Sequence, residues 1–366
     1  KMMDAGRHPN IELLSYSEVV DVQGYVGNFQ VKVKRKPRYV DEDKCTGCGD
    51  CTTACVWQDR VYSEYEAGMG LRGAAYIPFA QAVPMKAVID PNSCLVLTRG
   101  KCSQKCIQVC EANAIDFDQK EEYVDLKVGS VILATGYDLT EHPTVARYGY
   151  GLYDNVIDAL QFERLTSAAG PTGGEVITRD GRVPETTVFL HCIASRDDEA
   201  HEYCSRICCM TAIKNSITIK EQNPQATVHI LYRDIQAYGA ENEELFQRSK
   251  QMGVRYIKYD QQQPPEVQEN TVKVYHHLLG RDLELPQDLV VLSTPLIAGE
   301  DNESLSKLLR VTLDANKFFL EAHVKLKPLD FATDGIYLCG NAHYPASVRE
   351  AISQALGAAS RASIPL

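Results

Sequence analysis

The sequence lacks any apolar run close to the ~18 residues that a membrane-spanning helix needs, and no secretory signal peptide opens it. It also lacks an excess of positive charge, because 38 Lys and Arg stand against 49 Asp and Glu, a formal net charge of −11. This balance argues against nucleic acid and anionic membranes as partners. A hydrophobic content of 44% and a charged content of 24% are those of an ordinary globular protein, and 366 residues predict two or three domains.

A glycine-rich phosphate loop is missing as well, although strands and helices alternate as they do in a dinucleotide-binding domain. Such a loop would be expected directly after the apolar strand predicted over 186–192. The turn at that position, 192–197, contains no glycine. Cysteines gather there instead, namely Cys192, Cys204, Cys208 and Cys209. Cys204 and Cys208 are four positions apart, which would place them on one face of a helix predicted over 204–220.

We interpret these four cysteines as ligands of an iron–sulfur cluster that stands where a nucleotide would otherwise bind. Four thiolates are the usual ligand set of such a cluster, and the helix N-terminus would offset their negative charge. Two alternatives remain at this point: buried core cysteines, which are common, and a zinc site, although the spacing matches no common zinc pattern.

The chain holds 13 cysteines, mostly at short spacings that are typical of metal ligands in a reducing compartment rather than of disulfides. We therefore expect a cytoplasmic protein, from an anaerobe. Residues 45–55 read C-x2-C-x2-C-x3-C, the bacterial ferredoxin run, in which the fourth cysteine ligates the other cluster. A looser run, C-x7-C-x3-C-x3-C, follows at 94–110. The crossed rule assigns one cluster to Cys45, Cys48, Cys51 and Cys110, and a second to Cys55, Cys94, Cys102 and Cys106. The stretched spacing leaves a three-iron or altered second site as an alternative.

Two strands resemble the parts of a thioredoxin-reductase-like flavin domain that contact FAD. The first, over 128–133, leads into Ala134, Thr135 and Gly136. The second, over 333–338, leads into Cys339, Gly340, Asn341 and Ala342, with Asn341 where an acidic residue is usual. Cys339 is outside the three sets of four, and we expect its side chain to lie in the core. The helix predicted over 347–362 has an N-terminus suited to a phosphate.

The predicted fold class is α/β: a thioredoxin-reductase-like flavoprotein with two dinucleotide-binding domains, a split FAD domain and an NAD-like domain, and an inserted α+β ferredoxin domain with two [4Fe-4S] clusters. Alternation of Phe29, Val31 and Val33 with polar residues predicts a β-meander before that insertion. The predicted domains are 1–38 (β-meander of the FAD domain), 39–127 (ferredoxin), 128–183 (FAD domain and connection), 184–295 (NAD-like, with the third cluster) and 296–366 (return to the FAD domain).

Together these motifs resemble the flavin-based electron-bifurcating component of heterodisulfide reductase in methanogens, HdrA, and its relatives in other anaerobes. The most specific motif is Tyr203-Cys-Ser-Arg-Ile-Cys-Cys-Met with Cys192 upstream. The resemblance implies an amino-terminal FAD lobe with a glycine-rich loop. This sequence contains no such loop, so we expect either a fragment or a lobe from another polypeptide.

The resemblance also implies that Lys214 lies near the reactive face of the flavin and stabilises negative charge there, with Glu163 as a weaker candidate for the same site. The alternative for Lys214 is a solvated helix lysine. The implied cofactors are FAD and three [4Fe-4S] clusters.

The implied activity is that of an oxidoreductase, catalytic only within a complex, which splits electron pairs from a two-electron donor between a high-potential, disulfide-type acceptor and ferredoxin. Implied partners are disulfide-reducing and iron–sulfur subunits, a hydrogenase or formate dehydrogenase module, ferredoxin, and a second copy of the chain. Two other functions remain open: a pyridine-nucleotide oxidoreductase with a ferredoxin module, and an iron–sulfur relay without flavin.

Overall fold

The computed structural model describes residues 1–139 and 143–366. These form two compact units, the first made of Lys1–Gly24 with Asn28–Val128 and the second of Tyr25–Gly27 with Gly129–Leu366. The segment 128–183 that the sequence predicts as one stretch includes residues 140–142, which lie outside the described residues.

The first unit contains an antiparallel sheet in which β2 pairs with β7, and β1 lies on the other side of β2. Phe29, Val31 and Val33 of β2 are buried and alternate with exposed polar residues, as the period of two predicts. The elements of this unit, in chain order, are α1 (Met2–Arg7), β1 (Ser17–Tyr25), β2 (Asn28–Arg35), α2 (Asp50–Thr53), β3 (Val61–Tyr62), β4 (Leu71–Arg72), β5 (Ala75–Tyr76), β6 (Val88–Ile89), α3 (Leu95–Arg99), α4 (Lys105–Gln108) and β7 (Glu122–Val128).

Short elements surround the cysteines of the first unit. β5 pairs with β6, and Ala75 and Ile89 from this ladder pack with Val40 and Ala114 in one core. Three cysteines, Cys51, Cys94 and Cys106, belong to the same core.

The second unit is organised around a five-stranded sheet. Its elements, in chain order, are β8 (Val131–Leu133), β9 (Asp138–Leu139), α5 (Pro143–Ala146), β10 (Val156–Asp158), α6 (Ala159–Leu165), β11 (Thr186–Leu190), α7 (Cys208–Gln222), β12 (Thr227–Tyr232), α8 (Ala240–Gln251), β13 (Arg255–Lys258), β14 (Glu266–Val267), β15 (Thr271–His276), β16 (Arg281–Pro286), β17 (Leu289–Leu292), β18 (Leu296–Ile297), α9 (Asn302–Leu309), β19 (Ile336–Leu338), a 3-10 turn (Gly340–Ala342) and α10 (Val348–Ala362).

The sheet has the order β10-β17-β11-β12-β13, and each neighbouring pair is parallel. β17 and most of β11 are buried and apolar along their length, as expected of central strands covered on both faces. The strand order reverses between β11 and β17, and this is where open α/β sheets bind ligands, at the carboxyl ends of the strands. The predicted α/β fold class is confirmed.

A second, smaller parallel pair joins β8 to β19, with Val131 opposite Ile336 and Leu133 opposite Leu338. α10 packs against both strands. Ser347 starts α10 with a capping box, because its hydroxyl accepts from Glu350 N while the Glu350 carboxylate accepts from Ser347 N.

The helix predicted over 204–220 was placed too early, since α7 begins at Cys208. Arg206 has a φ of 64°, in the left-handed region, so the backbone cannot be helical before it. The interpretation of Cys204 and Cys208 as neighbours on one helical face was therefore wrong. Within the described ranges, the structure holds no helix of the length and apolarity that crossing a membrane requires.

Candidate metal centres and cofactor cleft

The first predicted set of cysteines meets around one cavity. Cys45, Cys48, Cys51 and Cys110 all line a space of about 140 Å³ at the start of α2. Gly47 and Gly49, with φ of 73° and 88°, allow the tight turns between the first three of them. The pKa of Cys51 is raised to about 12, mainly by burial and also by the thiols of Cys45, Cys48, Cys110 and, more weakly, Cys106.

The second set meets in the same way. Cys55, Cys94, Cys102 and Cys106 line a narrower, apolar space of about 20 Å³. The pKa of Cys106 is raised to about 11, mainly by burial, and the other three thiols add to it against a hydrogen bond from the backbone of Ile107. The structure therefore brings together the two sets that the crossed rule predicted.

Burial and the neighbouring thiols disfavour the charged thiolate form of these cysteines. A cationic centre between them would favour the thiolate form instead, because a thiol that coordinates a metal is deprotonated. No three or more His, Cys, Asp or Glu side chains converge on a single-ion site anywhere in 1–139 or 143–366. In chemistry and grouping the donor sets fit iron–sulfur clusters.

The third set lies at the carboxyl edge of the main sheet. Cys192 follows β11, Cys208 contacts Thr294 O beyond β17 at 4.0 Å, and Cys209 contacts Asp234 O beyond β12 at 3.6 Å. Cys204 lies in the loop before α7 and accepts a hydrogen bond from Arg206 N at 3.3 Å. Three neighbouring strands and one helix start thus position the set at the point where the strand order reverses.

These four thiols also interact with one another. Burial raises the pKa of Cys208, and the thiols of Cys209, Cys192 and Cys204 raise it further. Two left-handed residues, Cys192 with a φ of 58° and Ala194 with 54°, shape the loop that a glycine-rich turn would otherwise occupy. This donor set also fits a four-thiolate cluster.

The two strands that resemble FAD-contacting segments lie side by side. Because β8 and β19 are parallel, the segments after Leu133 and Leu338 leave the same edge. Gly340 has a φ of 70°, and its N–H donates to Gln354 on α10 at 2.9 Å. Asn341 Oδ1 accepts from Ala346 N at 2.5 Å, which fixes the turn into α10.

A cleft of about 650 Å³ opens beside this edge. It lies between the starts of α7 and α10, so the positive end of each helix dipole lies beside it. Its lining is Tyr137, Arg206, Ile207, Met210, Thr211, Tyr238, Asn242, Asn341, Ala346, Ser347, Val348, Ala351, Ile352 and Ala355. Apolar walls around helix N-termini fit the ring and phosphates of FAD.

Of the residues predicted to bind FAD, the structure places only Asn341 in the wall of this cleft. Ala134 and Thr135 are exposed after β8, and Gly136 follows with a φ of 81°. Cys339 is buried in a core with Tyr337 and Ala358. The side chain of Ala342 is fully buried, and Gly340 contributes its backbone to the turn.

The two residues predicted to be catalytic contact each other. Lys214 Nζ donates to both carboxylate oxygens of Glu163 at 2.6 Å, which joins α7 to α6. Lys214 follows Met210 and Thr211 on the same face of α7, one turn beyond the cleft wall. The Lys214 side chain is 51% exposed.

Sequence reasoning missed Arg206, Tyr137 and Ser347 as cleft residues. Ser347 could have been found, since Ser347 and Glu350 form a capping-box pattern before a helix. Arg206 lay inside the cysteine motif, but nothing in its spacing shows that the side chain reaches α10.

Comparison with known proteins gives a consistent result. A 4Fe-4S binding domain model matches residues 36–57. HdrA of the H(2):CoB-CoM heterodisulfide,ferredoxin reductase of Methanothermobacter thermautotrophicus is 43% identical over the whole of this chain and 55% of its own length. The iron-sulfur protein HdrA of the CoB--CoM heterodisulfide reductase of Methanocaldococcus jannaschii is 44% identical with the same coverage. This chain spans about half the length of the curated relatives it matches.

Solved structures similar to this chain include two thioredoxin reductases. That of Lactococcus lactis is 13% identical over 80% of this chain and 85% of that one, with a TM-score of 0.42. That of T. acidophilum is 14% identical over 66% of each chain, with a TM-score of 0.40.

The parallel α/β unit, the grouped thiols and the 4Fe-4S match indicate an iron–sulfur protein. Homology over the whole chain narrows this class. Over its whole length this chain is homologous to HdrA components of heterodisulfide reductases, of which it spans about half.

Proposed function

We propose that this chain transfers electrons within a heterodisulfide-reductase-type complex, using FAD and three [4Fe-4S] clusters. Within that complex it takes part in flavin-based electron bifurcation between a two-electron donor, a disulfide-type acceptor and ferredoxin. Its partners are the disulfide-reducing and iron–sulfur subunits, a hydrogenase or formate dehydrogenase module, ferredoxin, and a second copy of the chain. Thirteen free cysteines favour a reducing compartment such as the cytoplasm.

One observation carries this proposal. Twelve of the thirteen cysteines fall into three groups of four, and the third group shares Arg206 with a cleft suited to FAD. The groups lie in two different kinds of local structure, so chance packing of core thiols does not account for them. The relatives' names add that their own complexes act on the CoB-CoM heterodisulfide, and in one case ferredoxin.

Bound flavin and clusters would supply the one- and two-electron chemistry, and the protein would supply ligands and charge. The twelve cysteines would hold the clusters. The α10 start and the Asn341 turn would hold FAD, since helix N-termini bind phosphate. The cysteine loop at 192–197 would exclude a nicotinamide nucleotide from the sheet's switch point.

Lys214 would place a positive charge near the reactive part of the flavin, and Glu163 would hold the ammonium in place. The support for this role is the ion pair between Lys214 Nζ and the Glu163 carboxylate at 2.6 Å. Lys214→Ala should shift the flavin potentials in the loaded protein, measured by redox titration. Unchanged potentials would remove Lys214 from the mechanism.

The decisive experiment is an anaerobic count of iron and flavin in purified protein. Three four-iron clusters give about twelve irons per chain, and the proposal expects one FAD with them. About twelve irons without flavin would make the chain a relay, and about eight would contradict the third cluster. Bleaching by NADH or NADPH alone would instead favour a pyridine-nucleotide oxidoreductase.

A further inference from the structure

Arg206 lies within the third cysteine set, and the proposed function assigns no role to its side chain. It stands between Cys204 and Cys208, and its backbone N–H donates to Cys204 Sγ at 3.3 Å. Its φ of 64° is unusual for a residue with a side chain. In this conformation the backbone N–H of Arg206 faces the Cys204 thiol, and the side chain extends away from that thiol.

The side chain reaches the start of α10. Arg206 Nη1 donates to Pro345 O at 3.2 Å, and Nη2 donates to Glu350 Oε1 at 2.5 Å. The guanidinium also lies 5.5 Å from the ring centre of Tyr344. Glu350 is fixed in turn by the capping box with Ser347. Three contacts on one short segment therefore hold the guanidinium.

Arg206 is also part of the cleft wall, together with Asn341 and Ser347. A single residue thus contacts a thiol of the third set and lines the cleft. Its ion pair with Glu350 is partly exposed, at 36% and 30%, so its contribution to stability should be small. The connection between two sites is the more distinctive feature of this residue.

A second arginine provides a matched comparison. Arg196 lies four residues after Cys192 and pairs with Asp234 at 2.9 Å, and the backbone carbonyl of Asp234 contacts Cys209 Sγ at 3.6 Å. Asp234 also pairs with Lys258, the last residue of β13, at 3.4 Å. Arg196 is absent from the cleft wall. Of these two arginines, Arg206 contacts a thiol through its backbone N–H and the start of α10 through its side chain.

We propose that Arg206 is a positioning residue that couples the third cysteine set to the cleft, so that a change of charge at the α10 start alters the reduction equilibrium of the cluster at Cys204. This inference rests on the proposed function, because it requires the third cluster to be present. When Glu350 is charged, it offsets part of the guanidinium charge. When that charge is removed, Arg206 attracts an electron more strongly to the neighbouring cluster.

The test uses the whole chain, loaded anaerobically with iron and sulfide, and measures midpoint potentials by redox titration followed by electron paramagnetic resonance. The third cluster is identified as the signal that Cys209→Ser removes. Glu350→Gln should favour reduction of this cluster about tenfold, which for a one-electron couple is ~59 mV. In the Arg206→Gln background the same substitution should shift the equilibrium less than about twofold, because the coupling residue is gone.

Two further variants separate coupling from simple charge. Arg196→Gln should disfavour reduction of the third cluster but leave the Glu350→Gln shift at full size. Arg206→Lys keeps the charge without the two-point contact to Pro345 O and Glu350, so it should at least halve the shift. If the Arg206→Gln protein fails to bind the third cluster, the Arg206→Lys variant tests the coupling instead, because the Glu350→Gln shift should be at least halved in it.

An undiminished Glu350→Gln shift in both Arg206 variants would overturn this inference and leave the proposed function standing. Wild-type protein with about eight irons and no signal lost in Cys209→Ser would contradict the proposed function and this inference together. The iron count and the shift therefore distinguish the two failures.

Discussion

The cysteines of the first unit and those of the second are brought together by different means. In the first unit, the run from Cys45 to Cys55 makes its turns within a few residues, aided by glycines with positive φ. In the second unit, the thiols depend on three parallel strands and the start of α7. Each set of the first unit combines cysteines of two short runs, whereas the third set lies within 192–209 and is positioned by the sheet.

This difference has consequences for exposure and robustness. Cys48 is exposed in its loop, whereas Cys209 is buried at the sheet edge. The turns of the first run can hold Cys45, Cys48 and Cys51 in place while distant packing changes. A site at a sheet edge persists only while the sheet is folded, so the two kinds of site should respond differently to the same class of mutation.

The largest effect should come from removing single thiols in the two regions. Cys209→Ser and Cys51→Ser should each lower the iron content by about four atoms per chain, since each removes one ligand of a different cluster. Anaerobic iron and sulfide analysis measures this. Cys339→Ser is the matched control, because Cys339 is buried outside the three groups and should retain all iron. Full iron content in Cys209→Ser would contradict a cluster site at the sheet edge of the second unit.

The next effect concerns the core under the sheet site. Phe189 on β11 is 1% exposed and packs edge-to-face on Phe162 with ring centres 5.5 Å apart. Phe189→Ala should lower the free energy of unfolding of the second unit by about 3–5 kcal/mol. Urea denaturation measures the loss, and the signal of the third cluster should weaken while those of the first unit persist.

Leu152→Ala is the control for Phe189→Ala. Leu152 is 73% exposed, and its replacement should change the free energy of unfolding by no more than about 0.5 kcal/mol. Equal loss of signals from both units in Phe189→Ala would show that the two kinds of site are not independent.

Two partly buried aspartates, one in each unit, should respond to acid in opposite directions. In the first unit, burial would raise the pKa of Asp90, but hydrogen bonds from Ser93 and Asn92 and the Arg72 guanidinium hold it below its usual value. Its stabilising effect is complete above the unfolded value of about 3.9 and is lost as the pH falls through the lower folded value. In the second unit, burial raises the pKa of Asp158, against hydrogen bonds from Gln161 and Tyr150. Burying its charge is therefore unfavourable at neutral pH, and this penalty disappears as the pH falls toward about 3.9.

Asp90→Asn and Asp158→Asn test these signs. Asparagine keeps the α6 cap, so the second substitution removes the charge with little other change. As the pH falls from 7 to 3, the advantage of wild type over Asp90→Asn should shrink, and wild type should gain stability relative to Asp158→Asn. Urea unfolding at several pH values measures both. Changes of the same sign in the two variants would contradict the assignment.

The smallest effect should follow loss of the Lys214–Glu163 ion pair. The two side chains are 51% and 35% exposed, and exposed pairs contribute about 0–1 kcal/mol. Lys214→Gln should therefore leave the free energy of unfolding within that range, as should Glu163→Gln. A larger loss in urea denaturation would mean that the pair has a structural role, and a change in flavin potential could no longer be attributed to charge alone.

Sequence predicted most of what depends on local spacing. The parallel α/β pattern, the helix over 347–362 and the membership of each cysteine set follow from periodicity and short motifs, and the structure brings the thiols of the first two sets to two cavities. The helix over Cys204 was wrong because a left-handed Arg206 interrupts it, and no propensity reveals such a residue. The contact of Arg206 with Glu350 joins positions far apart in the chain. Such contacts depend on tertiary packing, to which spacing rules do not extend.

The pairing of β8 with β19 has a consequence for the order of assembly. Val131 lies opposite Ile336, so roughly 200 residues must fold or be spanned before the two strands meet. Closing so long a loop slows folding more than it lowers stability. We expect the ferredoxin-type loops to be ready for iron while these strands are still apart. Cluster insertion would then precede flavin binding during maturation, and the chain's connectivity would set the sequence in which its cofactors are acquired.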